Sequence, residues 1–98
     1  MTTIVLSAGK RTPFGDFGRS LRDVPLVELG KTAARACLAE SGIAATDVDH
    51  LVWGNVLPVD QEGFLASRVI ALNTGLPQES AAMNVSRACG SGTQAIIT

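Results

Sequence analysis

The chain has little charge of either sign to spare, few cysteines, one histidine and no long apolar run. Eight Lys and Arg stand against nine Asp and Glu, a net charge of −1. No basic cluster offers itself to a nucleic acid backbone or an anionic lipid surface, so both partners are excluded by expectation. Two cysteines, Cys37 and Cys89, have no regular spacing and form neither a disulfide framework nor a zinc pattern. A reducing, cytoplasmic setting is therefore the expectation. Ile4-Val5-Leu6 is too short for the core of a signal peptide, and no stretch approaches the roughly 20 apolar residues of a membrane span. Internal repeats, low-complexity tracts and linkers are also missing.

The 98 residues that remain are 46% hydrophobic and 17% charged, the balance of a soluble globular α/β protein. Ile4 to Ala8 reads as a first strand, apolar enough to be buried on both faces. Gly9 to Val24 is a loop rich in glycine, proline and charge. Pro25 suits a helix start and Glu28 its first turn. Leu26, Leu29, Ala33, Ala36 and Cys37 then share one face, with Glu28, Lys31 and Arg35 opposite, until Gly42 stops the helix. Val48 to Leu57 reads as a second strand centred on Leu51-Val52-Trp53, with Trp53 as a core residue. Leu65, Val69 and Leu72 recur at helical spacing, and Asn73-Thr74-Gly75-Leu76-Pro77 supplies a stop. Ala81 to Ser86 is a third strand, and a further helix opens among the glycines near Gly90. The order βαβαβα predicts a mostly parallel sheet covered by helices, with chemistry at the carboxyl ends of the strands.

Cys89 lies at such an end. It sits where a strand turns into a helix that begins Gly90-Ser91-Gly92. Orphan N–H groups at a helix start favour an anion, and this is a setting in which sulfur becomes nucleophilic. Gly90 and Gly92 keep side chains away on either side, so that a bulky substrate can approach. Two other readings stand beside the nucleophile. A cysteine is more often a small hydrophobe than a catalyst. The same residues also fit Gly90-x-Gly92-x-x-Ala95, a dinucleotide-binding pattern between strand and helix. That pattern is loose, its preceding strand is polar at Asn84 and Ser86, and the 98 residues stop before the acidic residue expected about 20 positions on.

Cys37, mid-helix among alanines and leucines, is read as packing. His50 precedes the second strand and is read as a surface or strand-edge residue. Asp16-Phe17-Gly18 spells a kinase tripeptide without its companion motifs and is a chance match.

Cys89-Gly90-Ser91-Gly92-x-x-Ala95 after a strand resembles the nucleophile loop of the thiolases, which make and cleave carbon–carbon bonds in acyl-CoA thioesters. Arg11-Thr12-Pro13-Phe14-Gly15 with Phe17-Gly18-Arg19-Ser20-Leu21, Glu28-Leu29-Gly30, Gly54-Asn55-Val56-Leu57 and Gly75-Leu76-Pro77 follow in that family's order. The resemblance covers essentially the whole chain. It implies the N-terminal portion of the thiolase fold, residues 1–98 forming a partial domain cut within the helix after Cys89. It also implies that Cys89 is acylated by an acyl-CoA, with its own backbone N–H in the oxyanion hole. Further donors, histidines and a second cysteine that deprotonates acetyl-CoA are implied to lie outside these residues. Acyl-CoA and acetyl-CoA are the implied substrates, with no metal or redox cofactor. Homodimers or homotetramers paired through the third strand are the implied assembly. Arg68 aligns with an arginine on the second helix expected to support a subunit contact. Phe64-Leu65 departs from the polar residues that biosynthetic thiolases often carry after the glycine equivalent to Gly63, which favours the broader β-ketothiolases.

Overall fold

The computed structural model describes residues 2–98. Helix α1 spans Leu26–Ser41, strand β1 His50–Gly54, helix α2 Ala66–Asn73, strand β2 Ala81–Val85 and helix α3 Ser91–Ile97. One-turn helices at Ala45–Asp47 and Gly63–Leu65 lead into β1 and α2. The strands pair in parallel, His50 opposite Ala81 and Gly54 opposite Val85. Bonds just outside the ladder extend it. Ala81 N–H donates to the Asp49 carbonyl and Asn55 N–H to the Val85 carbonyl, both at 2.9 Å.

The helix boundaries follow their punctuation. Pro25 is the N-cap of α1, and Gly42 ends the helix at φ 71°, the left-handed region that glycine enters without a Cβ penalty. After α2, Gly75 turns at φ 91° and Leu76 N–H reaches back to the Ala71 carbonyl at 3.1 Å. This is the long bond of a Schellman closure, and buried Leu76 adds its apolar contact.

Successive strand residues point to opposite faces, and here that alternation assigns the helices. Trp53 faces α1 and α2: a Cβ on Gly30 would collide with Ile70 Cδ1 and lie 2.9 Å from Trp53 Cη2. Gly54 faces α3, where its missing Cβ would stand 2.8 Å from the Ser91 carbonyl oxygen. Thus α1 and α2 cover one face and α3 the other. The core is Val27, Ala66 and Ile70, with Leu26, Ala34, Leu51, Trp53 and Val69 packed around it. Arg35 Nη2 fastens α1 to α2 by donating to the Asn73 carbonyl at 2.9 Å.

Three expectations are corrected. Ile4 to Ala8 is not a strand; Ile4 is 89% and Leu6 83% exposed. Among the described residues the sheet has two strands, and residues 4–8 pair with neither. The fold observed is therefore α/β in the order αβαβα. An apolar sequence supplies the side chains of a buried strand, but a strand exists only where a neighbour takes its backbone hydrogen bonds. The second correction concerns the helix faces. Val27 and Gly30 are the buried residues of α1, while Leu26, Leu29, Ala33, Ala36 and Cys37 are only partly covered. On α2 the buried residues are Ala66, Ser67, Ile70 and Ala71, whereas Leu65 and Leu72 are exposed. The neighbouring elements cover the edge of each helix that carries Val27 and Gly30 on α1 and Ala66, Ile70 and Ala71 on α2, and spacing alone does not choose that edge. Third, Lys31 is not on a free outer face. Its side chain is only 14% exposed and pairs with Glu28.

Candidate functional site

Cys89 is exposed and its thiol is free. It follows β2 by four residues and precedes α3 by two, as the sequence predicts. The turn that carries it is strained. Ala88 has φ 46°, the only non-glycine residue with positive φ among the described residues. An L-residue in that region costs roughly 1–2 kcal/mol, so the surroundings must hold it there.

They do so from both sides. Gly90 N–H donates to the Arg87 carbonyl at 2.8 Å, and Ser91 N–H to the Ala88 carbonyl at 3.2 Å. The buried Ser91 hydroxyl donates to the Ala88 carbonyl at 2.7 Å and accepts the Arg87 N–H at 2.9 Å. Arg87 Nη1 donates to Gln94 Oε1 at 3.0 Å, tying the start of the turn to α3. Beneath the turn, Gly54 at the end of β1 lets the Ser91 backbone come within a distance that no Cβ tolerates. A Cβ on Gly92 would meet nothing within 4 Å, so the side toward that glycine is open. Cys89 thus stands on a hydrogen-bonded elbow with free space beside it.

Strand β2 is anchored to the neighbouring crossover through Asn84. Its Oδ1 accepts the Ser67 N–H at 3.1 Å, acting as a tertiary cap on α2. Its Nδ2 donates to the Phe64 carbonyl at 2.8 Å and the Gly63 carbonyl at 3.3 Å. Asn55 Nδ2 donates to the same Gly63 carbonyl at 3.2 Å. The short helix before α2, the end of β1 and the strand leading to Cys89 form one hydrogen-bonded unit.

Other residues singled out in the sequence lie elsewhere. Cys37 is half-buried in the middle of α1. His50 is exposed at the first position of β1. Arg68 turns inward along its own chain, donating to the Ser80 and Gln78 carbonyls at 2.9 Å each, which secures the loop before β2. Trp53 Nε1 is buried without a hydrogen-bond partner, while its ring packs on the core. Two contributors were not legible in the sequence as such. In the sequence Ser91 stands only as part of a motif in which Gly90 and Gly92 carry the signal. Gly54 marked a strand end, and the approach of α3 onto it appears only in three dimensions. Among the described residues no cluster of three or more metal-ligating side chains forms, and no helix is long and apolar enough to cross a membrane.

Known proteins share this fold. The profile of the thiolase N-terminal domain matches residues 4–98. A beta-ketothiolase of Cupriavidus necator, BktB, is 41% identical over 95 residues, which are 97% of this chain and 24% of that protein. The mitochondrial 3-ketoacyl-CoA thiolase of Homo sapiens is 36% identical over 94 residues, 96% of this chain and 24% of the relative. The crystal structure of the human mitochondrial enzyme in complex with CoA superposes with a TM-score of 0.90 at 37% identity, covering 93% of this chain and 23% of that one. An acetyl-CoA acetyltransferase from Syntrophomonas wolfei gives 0.87 at 31% identity, over 95% and 23%. The chain therefore spans about a quarter of the length of the curated relatives it matches. These matches favour the thiolase reading of the Cys89 loop over the dinucleotide-binding one at Gly90-x-Gly92-x-x-Ala95. Helices on both faces of a parallel strand pair, a cysteine elbow closed by Ser91 and a profile match over residues 4–98 lead to one conclusion: this chain belongs to the thiolase family, as its N-terminal domain.

Proposed function

We propose that residues 1–98 serve as the N-terminal part of a thiolase-type acyltransferase in which Cys89 is the residue that becomes acylated. The Cys89 sulfur attacks the thioester carbonyl of an acyl-CoA, its proton passing to a base outside these residues. The carbonyl π electrons move to oxygen; collapse of the tetrahedral intermediate breaks the C–S bond to CoA, which leaves as the thiol once protonated. The backbone N–H of Cys89 donates to the developing oxyanion together with a second donor outside this segment. In the synthetic direction, the deprotonated α-carbon of acetyl-CoA then attacks the acyl-cysteine, forming the new carbon–carbon bond and freeing the sulfur. Thiolytic cleavage of a 3-ketoacyl-CoA is the reverse. Neither direction calls for a metal or a redox cofactor.

The observation that carries this reading is the elbow itself: an exposed free thiol on a strained, fully bonded turn, with open space at Gly92. Backbone strain held in place by its surroundings concentrates at functional positions. Homodimers or dimers of dimers, joined along β2, are the proposed assembly, in a reducing cytoplasmic compartment.

Brief exposure of the intact enzyme to acetyl-CoA, followed by intact-mass measurement and peptide mapping, tests the assignment. An acetyl group is expected on the peptide containing Cys89, and iodoacetamide at neutral pH should alkylate Cys89 well before Cys37. Acetylation of Cys37 instead would refute it. The 98-residue chain alone should not catalyse thiolysis of acetoacetyl-CoA, because it supplies the acyl-accepting sulfur without the base that completes the cycle.

A further inference from the structure

The two residues before Cys89 and the two after it are joined by four hydrogen bonds, and Ser91 takes part in three of them. Its hydroxyl accepts the Arg87 N–H at 2.9 Å and donates to the Ala88 carbonyl at 2.7 Å. Its own N–H meets the same Ala88 carbonyl at 3.2 Å. The residue is 5% exposed, so water does not replace these partners readily. One side-chain atom must both give and receive a hydrogen bond within a buried turn. Among small side chains only a hydroxyl does that. The bonds fall on the residue with positive φ and on its predecessor, the positions whose backbone decides where Cys89 points.

We propose that Ser91 is a positioning residue for Cys89: its hydroxyl locks the elbow so that the sulfur meets an incoming thioester carbonyl in reactive geometry. The proposal rests on Cys89 being the acylated residue. Ser91 touches no substrate; it acts through the backbone of Arg87 and Ala88. Loss of the hydroxyl leaves the binding surface in place and lets the sulfur wander from the line of attack. A displacement of about 1 Å is enough to slow a well-oriented reaction about 100-fold.

The test is single-turnover acylation of the intact enzyme by acetyl-CoA, following release of CoA, in wild type, Ser91→Ala, Ser91→Thr and Cys89→Ser. In Ser91→Ala the saturating acylation rate is expected to fall about 10- to 100-fold, while the half-saturating acetyl-CoA concentration stays within about twofold. Ser91→Thr keeps the hydroxyl and is expected to restore the rate to within about threefold of wild type. An undiminished saturating rate in folded Ser91→Ala overturns the proposal. So does a loss expressed only as a higher half-saturating concentration, or a Ser91→Thr rate as low as that of Ser91→Ala. Should Ser91→Ala not fold, Ser91→Thr decides alone: a near-native rate supports the lock, and a slow rate in the folded variant overturns it. Cys89→Ser separates the two readings. If it still releases CoA at the wild-type rate, the assignment of Cys89 falls whatever Ser91 does; if it is inert while Ser91→Ala is native, only the lock falls.

Discussion

The two cysteines sit in regions built on different physics. Along α1, the helix that carries Cys37, the contact with α2 and Trp53 is apolar, with Gly30 admitting Ile70 and the indole ring. Around Cys89 almost nothing apolar is buried. The elbow is held by hydrogen bonds from Ser91, Gly90 and Arg87 and by the backbone of α3 resting on Gly54. Apolar packing is forgiving of small rearrangement because side-chain ends can shift. A turn made of backbone bonds has fixed donors and acceptors and little room to adjust. The turn that carries Cys89 is thus fixed by directional bonds, while half-buried Cys37 rides on a helix docked by apolar contact.

Mutations sharpen the contrast, beginning with the largest expected effect. In the intact enzyme, Cys89→Ser should keep the fold and reduce acetoacetyl-CoA thiolysis by at least about 1,000-fold, since a serine hydroxyl without a matched base is a weak nucleophile. Turnover within tenfold of wild type would break the comparison at its centre. Ile70→Ala removes the largest fully buried side chain. It should lower unfolding free energy by about 2–5 kcal/mol in urea titration, with acylation of the folded fraction unaltered.

The two glycines then give a matched pair. An alanine at Gly54 drives its Cβ onto the Ser91 carbonyl oxygen and carbon, backbone atoms 2.8 and 2.9 Å away. It should cost about 1–3 kcal/mol and also slow acylation, because the elbow must move. An alanine at Gly30 drives its Cβ onto Ile70 Cδ1 and Cγ1 and Trp53 Cη2 in the packed core. It should cost a similar amount of stability, with acylation untouched. Urea titration and single-turnover rates on both variants check this, and equal acylation losses in the two would remove the distinction between the regions. Smallest of all is Cys37→Ala. About 1–2 kcal/mol of stability should be lost from the smaller side chain while full activity remains. A strong loss of turnover there would give Cys37 a part in the chemistry.

Much of the scaffold could be read without coordinates. The limits of α1 at Pro25 and Gly42 and the stop of α2 at Gly75 were set by local chemistry: a proline that cannot donate, and glycines that alone adopt positive φ without penalty. Strands β1 and β2 lie within the stretches expected for them, β1 shorter at both ends and β2 by its last residue. The faces of the helices were less legible. Apolar spacing pointed to Leu65 and Leu72, yet Ala66 and Ile70 are buried. Periodicity finds a stripe but does not tell which edge of it a neighbour will cover.

Residues 4–8 show the same limit more sharply. Ile4-Val5-Leu6 is as apolar as Leu51-Val52-Trp53, but only the second run is a strand, because β2 lies beside it to accept and donate hydrogen bonds. Within the sequence itself lay the helix boundaries, the α/β order from α1 onward and the loop that presents Cys89, since each depends on residues close together in the chain. The left-handed turn at Ala88, the two bonds of the Ser91 hydroxyl, the approach of α3 onto Gly54 and the Asn84 clamp on α2 were decided by tertiary structure alone. The approach onto Gly54 and the Asn84 clamp join residues 17 or more positions apart, while the Ala88 turn and the Ser91 bonds, though local, rest on a geometry that residue order does not supply. A hydrogen bond depends on position and angle, and no spacing of residues along a sequence supplies either.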